Sequence, residues 1–194
     1  MLFDLIFALL LKISNLFLGV SHHFFSMFAY FAYILQDNTL LTQTNTAYAT
    51  HINNNFYAEG KSEDLVKRDA FAYHAYNLAY YARILRSKYI YEGPEVYTTF
   101  KAKKNNINVS LQDLINYWKP FVIDPANNVH LEFVNTEYAP DKTRSDYNKP
   151  YNPQSSNYAY EELVFCFSEA KDFIAATKVN GTRFNSGLSA FLSW

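Results

Sequence analysis

Cysteine and glycine are both scarce in this chain. A single cysteine, Cys166, excludes an intramolecular disulfide framework and any zinc or iron–sulfur site built from several cysteines. The 194 residues include only 5 Gly and contain no Gly-rich phosphate loop or dinucleotide fingerprint, which argues against nucleotide chemistry. Small oxidised scaffolds and nucleotide-dependent enzymes are therefore disfavoured.

An excess of basic charge is also lacking. The chain has 17 Lys and Arg against 18 Asp and Glu, for a net charge of −1. Proteins that bind phosphate backbones depend on a basic excess to release counterions. The one basic cluster, Lys101, Lys103 and Lys104, is typical of a solvated loop, so no nucleic-acid partner is predicted.

Aromatic residues, in contrast, are abundant, with 17 Phe and 17 Tyr making most of a 19 % aromatic content. A genome rich in AT codons, such as that of a protist mitochondrion, produces such a composition without selection for function. A protein-binding surface also favours Tyr and Phe. The composition is compatible with both explanations.

The N-terminal segment, residues 2–36, predicts a transmembrane helix. Between Leu5 and Leu35 the only formal charge is Lys12. Some thirty residues make about 45 Å of helix, whereas the hydrocarbon core of a bilayer is about 30 Å thick. The helix is therefore expected to bend at residues 19–23, where a glycine precedes a polar cluster.

Two alternatives compete with this membrane anchor. Leu5 to Leu11 resembles the apolar region of a cleaved signal peptide, but Asp4 replaces the usual basic start and the apolar character continues far beyond. A buried helix of a soluble domain is the other alternative.

The fold class expected from the pattern is mainly α, with a polar linker at 37–60 and a helical, loop-rich extramembrane region at 61–194. Helices are predicted at residues 62–86, 110–119 and 157–178, from capping residues and apolar periodicity. At most two short strands are expected, at 96–100 and 129–134. A proline-rich segment at 138–157 favours an extended path without a core of its own.

Two stripes along the predicted helix 62–86 are candidates for protein contact. One consists of small residues and the other of tyrosines at spacings of three and four. They are Ala72, Ala75, Ala79 and Ala82, and Tyr73, Tyr76 and Tyr80. Ordinary packing within the chain is the alternative. The apolar C-terminal end, including Trp194, suggests docking as well.

His22 and His23 stand out because ionisable residues at bilayer depth tend to be functional. Haem ligation is disfavoured, since adjacent helical residues diverge by about 100° and cannot face one iron. A polar bend near the membrane interface or a contact with a neighbouring subunit is expected instead, and no cofactor is predicted.

Other chemical motifs are weak. The sequence His130-Leu131-Glu132 matches half of the zinc-deaminase signature, but the P-C-x-x-C half is absent. Cys166 lies between two phenylalanines and is expected to be a buried, inert thiol. A membrane-bound enzyme that uses His74 or His130 is a third and minor hypothesis.

These patterns predict a non-catalytic accessory subunit of a membrane-embedded complex, specifically a respiratory or ATP-synthase assembly of the mitochondrial inner membrane. Its partners would be other membrane subunits and the lipid bilayer. The alternative is a secreted or periplasmic helical protein with an N-terminal signal segment, which binds a small ligand or a protein partner in an aromatic-lined pocket.

Overall fold

A computed structural model describes residues 28–96, 101–104 and 107–177 of the chain. This part is mainly helical with one pair of short antiparallel strands, which confirms the coarse fold class. No helix in these ranges is long and apolar enough to cross a membrane, so the spanning part of the prediction is unsupported. Most of the predicted anchor, with its bend, lies outside the described residues, as do His22, His23 and Trp194.

The named elements follow a helical segment at residues 28–35. The α-helices are α1 (Asn38–Asn55), α2 (Glu63–Arg68), α3 (Phe71–Glu92), α4 (Leu111–Ile123), α5 (Asn157–Leu163) and α6 (Ala170–Thr177). The strands β1 (Lys101–Lys104) and β2 (Ile107–Ser110) form a hairpin between α3 and α4. Two short 3₁₀ helices, Ala139–Thr143 and Pro153–Ser156, lie between α4 and α5.

Helix α1 corrects the predicted linker at 37–60. The Asp37 carboxylate accepts hydrogen bonds from the first backbone N–H groups of this 18-residue helix, which fixes its start. Its threonines bond back to carbonyls one turn earlier, as Thr44 does at 2.7 Å. Thr and Asn are weak helix formers, so the sequence carries little helical signal here. Burial of Tyr48 and Ile52 stabilises the helix instead.

The single helix predicted at 62–86 is in fact two helices. Ser62 caps α2 by accepting from the Leu65 N–H, as predicted. At Asp69 the backbone turns left-handed, with φ 52°, which ends α2. Asp tolerates this conformation better than most residues. Helix α3 then begins at Phe71 and runs to the expected stop at Gly93, beyond the predicted end.

The hairpin at residues 101–110 was not predicted, and of the strand predicted at 96–100 only Val96 lies within the described residues. Its register pairs Lys101 with Ser110 and Ala102 with Val109, and both apolar members of the second pair are buried. Of the 129–134 segment, only Leu131 forms an isolated bridge. The strand prediction at 129–134 was therefore wrong.

Helix α4 begins as predicted and ends later. Ser110 and Asp113 form a reciprocal capping box at its start. The helix continues through Pro120 to Ile123 rather than ending at Lys119. Proline removes one backbone hydrogen bond, but burial of Val122 keeps the last turn against the core.

The core lies where α3, α4, α5 and α6 meet. Trp118 packs against Tyr160 at 5.0 Å and Phe173 at 5.7 Å between ring centroids, and all three side chains are fully buried. Helix α5 packs on the tyrosine-bearing α3, as predicted. The helix predicted at 157–178 is interrupted at residues 164–169, however, which separate α5 from α6.

The proline-rich segment 138–157 is not a path held apart from the core. It contains both 3₁₀ helices, and Asp141, Tyr151 and Ser156 are buried. The Tyr151 hydroxyl donates to Ser156 Oγ at 2.8 Å. Its prolines end regular helix without preventing burial, because side-chain hydrogen bonds and aromatic contacts anchor the segment to α3.

Candidate active site at the start of helix α3

The junction between α2 and α3 fastens a distant segment to the helix start. The Asp69 carbonyl oxygen accepts from the Phe133 N–H at 2.7 Å and from His130 Nε2 at 3.1 Å. The Asp69 carboxylate accepts from the Asn135 N–H at 2.7 Å. The left-handed turn at Asp69 points these acceptors at residues 130–135, so the chain reversal positions the site.

Arg68 and Asp141 form the central ion pair of this region. The guanidinium donates from both Nε and Nη2 to the two carboxylate oxygens at 2.5 Å, a bidentate arrangement. Thr136 Oγ1 donates to the same carboxylate at 2.7 Å. Burial by itself raises the pKa of Asp141, but the bonds from Arg68 and Thr136 outweigh it, so the pKa lies below its ordinary value. The hydrogen bond to Asp141 likewise raises the pKa of Arg68.

Tyr73 on the first turns of α3 lies between two arginines. Arg68 stacks on its ring at 4.2 Å and donates to its hydroxyl oxygen at 3.0 Å. Arg144 also donates to that oxygen, at 3.5 Å, while it pairs with the exposed Asp146. Because both guanidinium groups donate, the Tyr73 oxygen acts as the acceptor and the phenolic hydrogen is directed elsewhere.

His130 lies beside this group with a defined tautomer. A carbonyl oxygen only accepts, so the bond from Nε2 to Asp69 places the hydrogen on Nε2. In the neutral ring, Nδ1 then carries the lone pair. The ring packs edge-on against Phe71 at 4.8 Å, which limits its rotation. In its neutral form His130 thus presents an oriented lone pair at Nδ1.

Glu132 caps α3 from sixty residues away. Its two oxygens accept from the N–H groups of Phe71 at 2.8 Å and Ala72 at 3.2 Å, where Ala70 offers no capping side chain. Burial raises the pKa of Glu132 to about 7, although these backbone bonds oppose the shift. Within the described ranges, no group of three His, Cys, Asp or Glu side chains has the arrangement of a metal site.

The other two described histidines are held inside the fold. His74 is fully buried, with Nδ1 2.9 Å from Ser62 Oγ and Nε2 3.2 Å from the Leu114 carbonyl oxygen. His51 Nδ1 lies 2.6 Å from the hydroxyl of the buried Tyr81. Burial lowers the pKa of each histidine to about 4. Both are therefore neutral and structural at ordinary pH, and His74 does not join the site.

The candidate contact residues on α3 divide into two groups. The buried group consists of Ala75, Ala79, Ala82 and Tyr80, which pack inside the chain. Ala72, Tyr73 and Tyr76 are partly exposed. Of these, Tyr73 belongs to the polar cluster described above, whose other members are Arg68, His130, Asp141 and Arg144. Contact of Ala72 or Tyr76 with another protein stays a prediction.

The sequence interpretation missed the two arginines, Asp141 and the role of Glu132. One usable signal was present: the charged run Lys67-Arg68-Asp69 comes directly before the apolar start of α3. The carboxylate partner of Arg68 and the N–H donor to the Asp69 carboxylate lie more than sixty residues away, in a segment that has no periodicity. Only the fold brings them together.

A helical protein with arginine, tyrosine, histidine and a buried carboxyl group at one helix start has the side chains of an acid–base enzyme. Comparison with protein families agrees, because the family model for alginate lyase matches residues 26–128, more than half of the chain. The chain belongs to the alginate lyase family. The match includes Arg68, Asp69 and Tyr73 and ends just before His130. No curated protein and no solved structure matches it.

Family membership corrects four predictions made from the sequence. It contradicts the non-catalytic accessory subunit, the absence of enzyme activity, the respiratory or ATP-synthase assembly and the mitochondrial inner-membrane location. The alternative of a secreted or periplasmic helical protein agrees better with the family. The error arose because a long apolar segment is easily recognised in sequence, whereas the polar cluster depends on tertiary contacts.

Proposed function

We propose that this protein is a secreted lyase that cleaves alginate, a polymer of uronic acids. The observation that carries the proposal is the family match over residues 26–128. The cluster at the start of α3 supports it, because cleavage of a polyuronate requires cationic and proton-transferring groups in one place.

A lyase breaks the bond between two uronate residues by elimination. A base removes the proton on the carbon next to the carboxylate, the bond to the glycosidic oxygen breaks, and that oxygen takes up a proton. A carbon–carbon double bond forms in the new end residue, and no water is consumed. Neutralising the carboxylate makes the neighbouring proton easier to remove, and an oriented base and acid lower the barrier further.

The cluster offers a side chain for each of these tasks. Arg144 is the more exposed arginine, and its partner Asp146 is exposed too, so a substrate carboxylate can replace that partner. His130 Nδ1 carries a lone pair and can accept the proton. Tyr73 can donate its phenolic hydrogen to the leaving oxygen, since two guanidinium groups hold its oxygen as an acceptor. Arg68, bonded to Asp141, positions Tyr73.

Incubation of the purified chain with alginate tests the proposal. Elimination conjugates the new double bond with the carboxylate, so ultraviolet absorbance should rise as the solution loses viscosity. Mass spectrometry should show fragments whose summed mass equals that of the starting chain. Fragments that have gained a water molecule would indicate a hydrolase, and an unchanged polymer would contradict the proposal.

The proposed location outside the cell follows from the substrate. A long charged polysaccharide does not cross a membrane, so an enzyme that degrades it acts where the polymer is. Fractionation of the producing cells should place the protein in the medium or an extracytoplasmic compartment. Recovery in the mitochondrial inner membrane would contradict this location.

A further inference from the structure

A second surface continues from the cluster along α3. Tyr73, Tyr76, Arg83 and Arg86 follow one another at spacings of three, seven and three, which places them on one helix face. All four are partly exposed, whereas most other residues of α3 before Tyr89 are buried. From Tyr73 to Arg86 the face is about 20 Å long at the rise of an α-helix. That length spans several sugar residues.

Aromatic side chains from the neighbouring segment border this face. The Tyr158 hydroxyl of α5 donates to the Ala72 carbonyl oxygen at 3.5 Å, and its ring is partly exposed. Burial raises the pKa of Tyr158 to about 12, with Tyr76 and Arg83 close enough to contribute. Farther along, Arg86 stacks on the exposed ring of Phe165 at 4.0 Å. Such rings present apolar faces, and the tyrosines add a polar edge.

The charge that reaches the solvent here is positive, although the whole chain has a net charge of −1. Arg83 donates to Glu162 at 2.9 Å, but 38 % of the arginine side chain is exposed and only 7 % of the glutamate. Arg68 and Asp141 show the same asymmetry, at 22 % and 2 %. In both pairs the arginine side chain is the more exposed member, so an anionic ligand would meet the arginine before the carboxylate.

We propose that this face of α3, from Tyr73 to Arg86 with the rings of Tyr158 and Phe165, binds successive uronate residues of an acidic polysaccharide while the cluster at its N-terminal end cleaves it. The choice of occupant rests on the proposed function. Arginine forks match carboxylates, and aromatic faces match the apolar sides of sugar rings. A neutral polysaccharide would leave the guanidinium groups unused.

Two variants test the face without touching the residues assigned to catalysis. Arg86→Gln removes one exposed charge, and Tyr76→Ala removes one ring. Arg83→Gln is less suitable because it leaves the buried Glu162 without its partner. Lys171→Gln is the matched control, since it removes an exposed positive charge from α6. Thermal melts of Arg86→Gln and Lys171→Gln should resemble that of the wild type, whereas Tyr76→Ala should melt somewhat lower because it removes a ring that packs 4.5 Å from that of the buried Tyr80.

The expected result is a loss of preference for long chains. For Arg86→Gln, KM for polymeric alginate should rise about tenfold, the effect of one charge-assisted contact, with kcat unchanged. The smallest oligouronate that the enzyme cleaves should show a smaller change. Lys171→Gln should behave as the wild type. Unchanged KM for the polymer in both face variants would overturn the proposal, even if the enzyme is an active lyase.

Binding measurements separate this proposal from the proposed function. Calorimetry of the full chain with oligouronates, dextran and single-stranded oligothymidylate should show binding of the oligouronate alone, weakened in Arg86→Gln. If that holds and no substrate is cleaved, the face stands and the lyase assignment fails. Equal binding of oligothymidylate, equally weakened by the substitution, would overturn the assignment to an acidic saccharide.

Discussion

The two sides of α3 differ in how they use polar groups. On the inner side, His74 is enclosed with Ser62 and the Leu114 carbonyl beside Trp118, at a ring-centroid distance of 5.8 Å. At the N-terminal end, Arg68 and Tyr73 keep part of their surface in solvent. Polar groups that are enclosed and fully bonded stabilise the fold, whereas partly exposed ones can exchange a partner for a substrate.

Substitutions in the core that the inner side of α3 packs against should have the largest effect on stability. Trp118→Ala removes a fully buried ring from the contacts with Tyr160 and Phe173. The free energy of unfolding should fall by about 4 kcal/mol, as for other large buried aromatics. Urea denaturation measures it. Val129→Ala, at a side chain that is 60 % exposed, should change it by less than about 0.5 kcal/mol. Similar losses for the two variants would contradict the assignment of the core.

Substitutions in the ion pairs of the cluster should have the next largest effect on stability. Asp141→Asn disrupts a bidentate pair whose carboxylate is buried, and should cost about 2 kcal/mol of unfolding free energy. Asp146→Asn breaks the pair with Arg144, in which both side chains are more than a third exposed, and should cost less than about 1 kcal/mol. Chemical denaturation of both variants measures the unfolding free energy that each substitution costs. An equal cost would show that burial does not distinguish the two pairs.

The pH dependence of stability has opposite signs for the two buried histidines and for Glu132. The lowered pKa of about 4 for His51 and His74 means that the unfolded chain binds these protons more readily. Their contribution is present above about pH 6.5 and is lost as pH falls through 4. The raised pKa of Glu132, about 7, acts oppositely: its contribution is present below about pH 4.5 and is lost as pH rises through 7.

Glu132→Gln should therefore make stability rise more steeply between pH 4.5 and 6.5, because only the histidine contribution remains. The substitution should also cost about 1 kcal/mol, since an amide cannot accept both backbone N–H groups at the start of α3 as the carboxyl group does. Thermal melts of the variant and the wild type across this pH range measure both effects. A slope unchanged by the substitution would contradict the assignment of Glu132.

Much of the helical architecture could be predicted, because local signals determine it. Ser62, Ser110 and Gly93 mark helix ends in sequence and do so in the structure. Helix α1 and the continuation through Pro120 could not be predicted, since burial overrides weak propensity there. The break at Asp69 likewise depends on its bonds to residues 130–135.

The candidate site was less predictable than the fold. Tyr73 was chosen from its spacing, but as a protein-contact residue. His130 was noticed as half of a zinc motif and as a candidate residue of a membrane-bound enzyme, and Glu132 only as part of that motif. Their actual relation is through Asp69 and the start of α3. Contacts between residues so far apart in sequence leave no periodic pattern. The aromatic richness has a structural use that composition alone could not reveal, since many of these rings fill the core.

The most direct test of the account is the turnover of Tyr73→Phe on alginate, compared with that of Tyr138→Phe. Both tyrosines stack on Arg68, at 4.2 and 4.8 Å, and both variants keep the ring. If Tyr73 donates the proton, kcat should fall at least about 100-fold in Tyr73→Phe and stay at the wild-type value in Tyr138→Phe, with similar melting temperatures. Wild-type kcat in Tyr73→Phe would contradict the assignment of the active site to the start of α3.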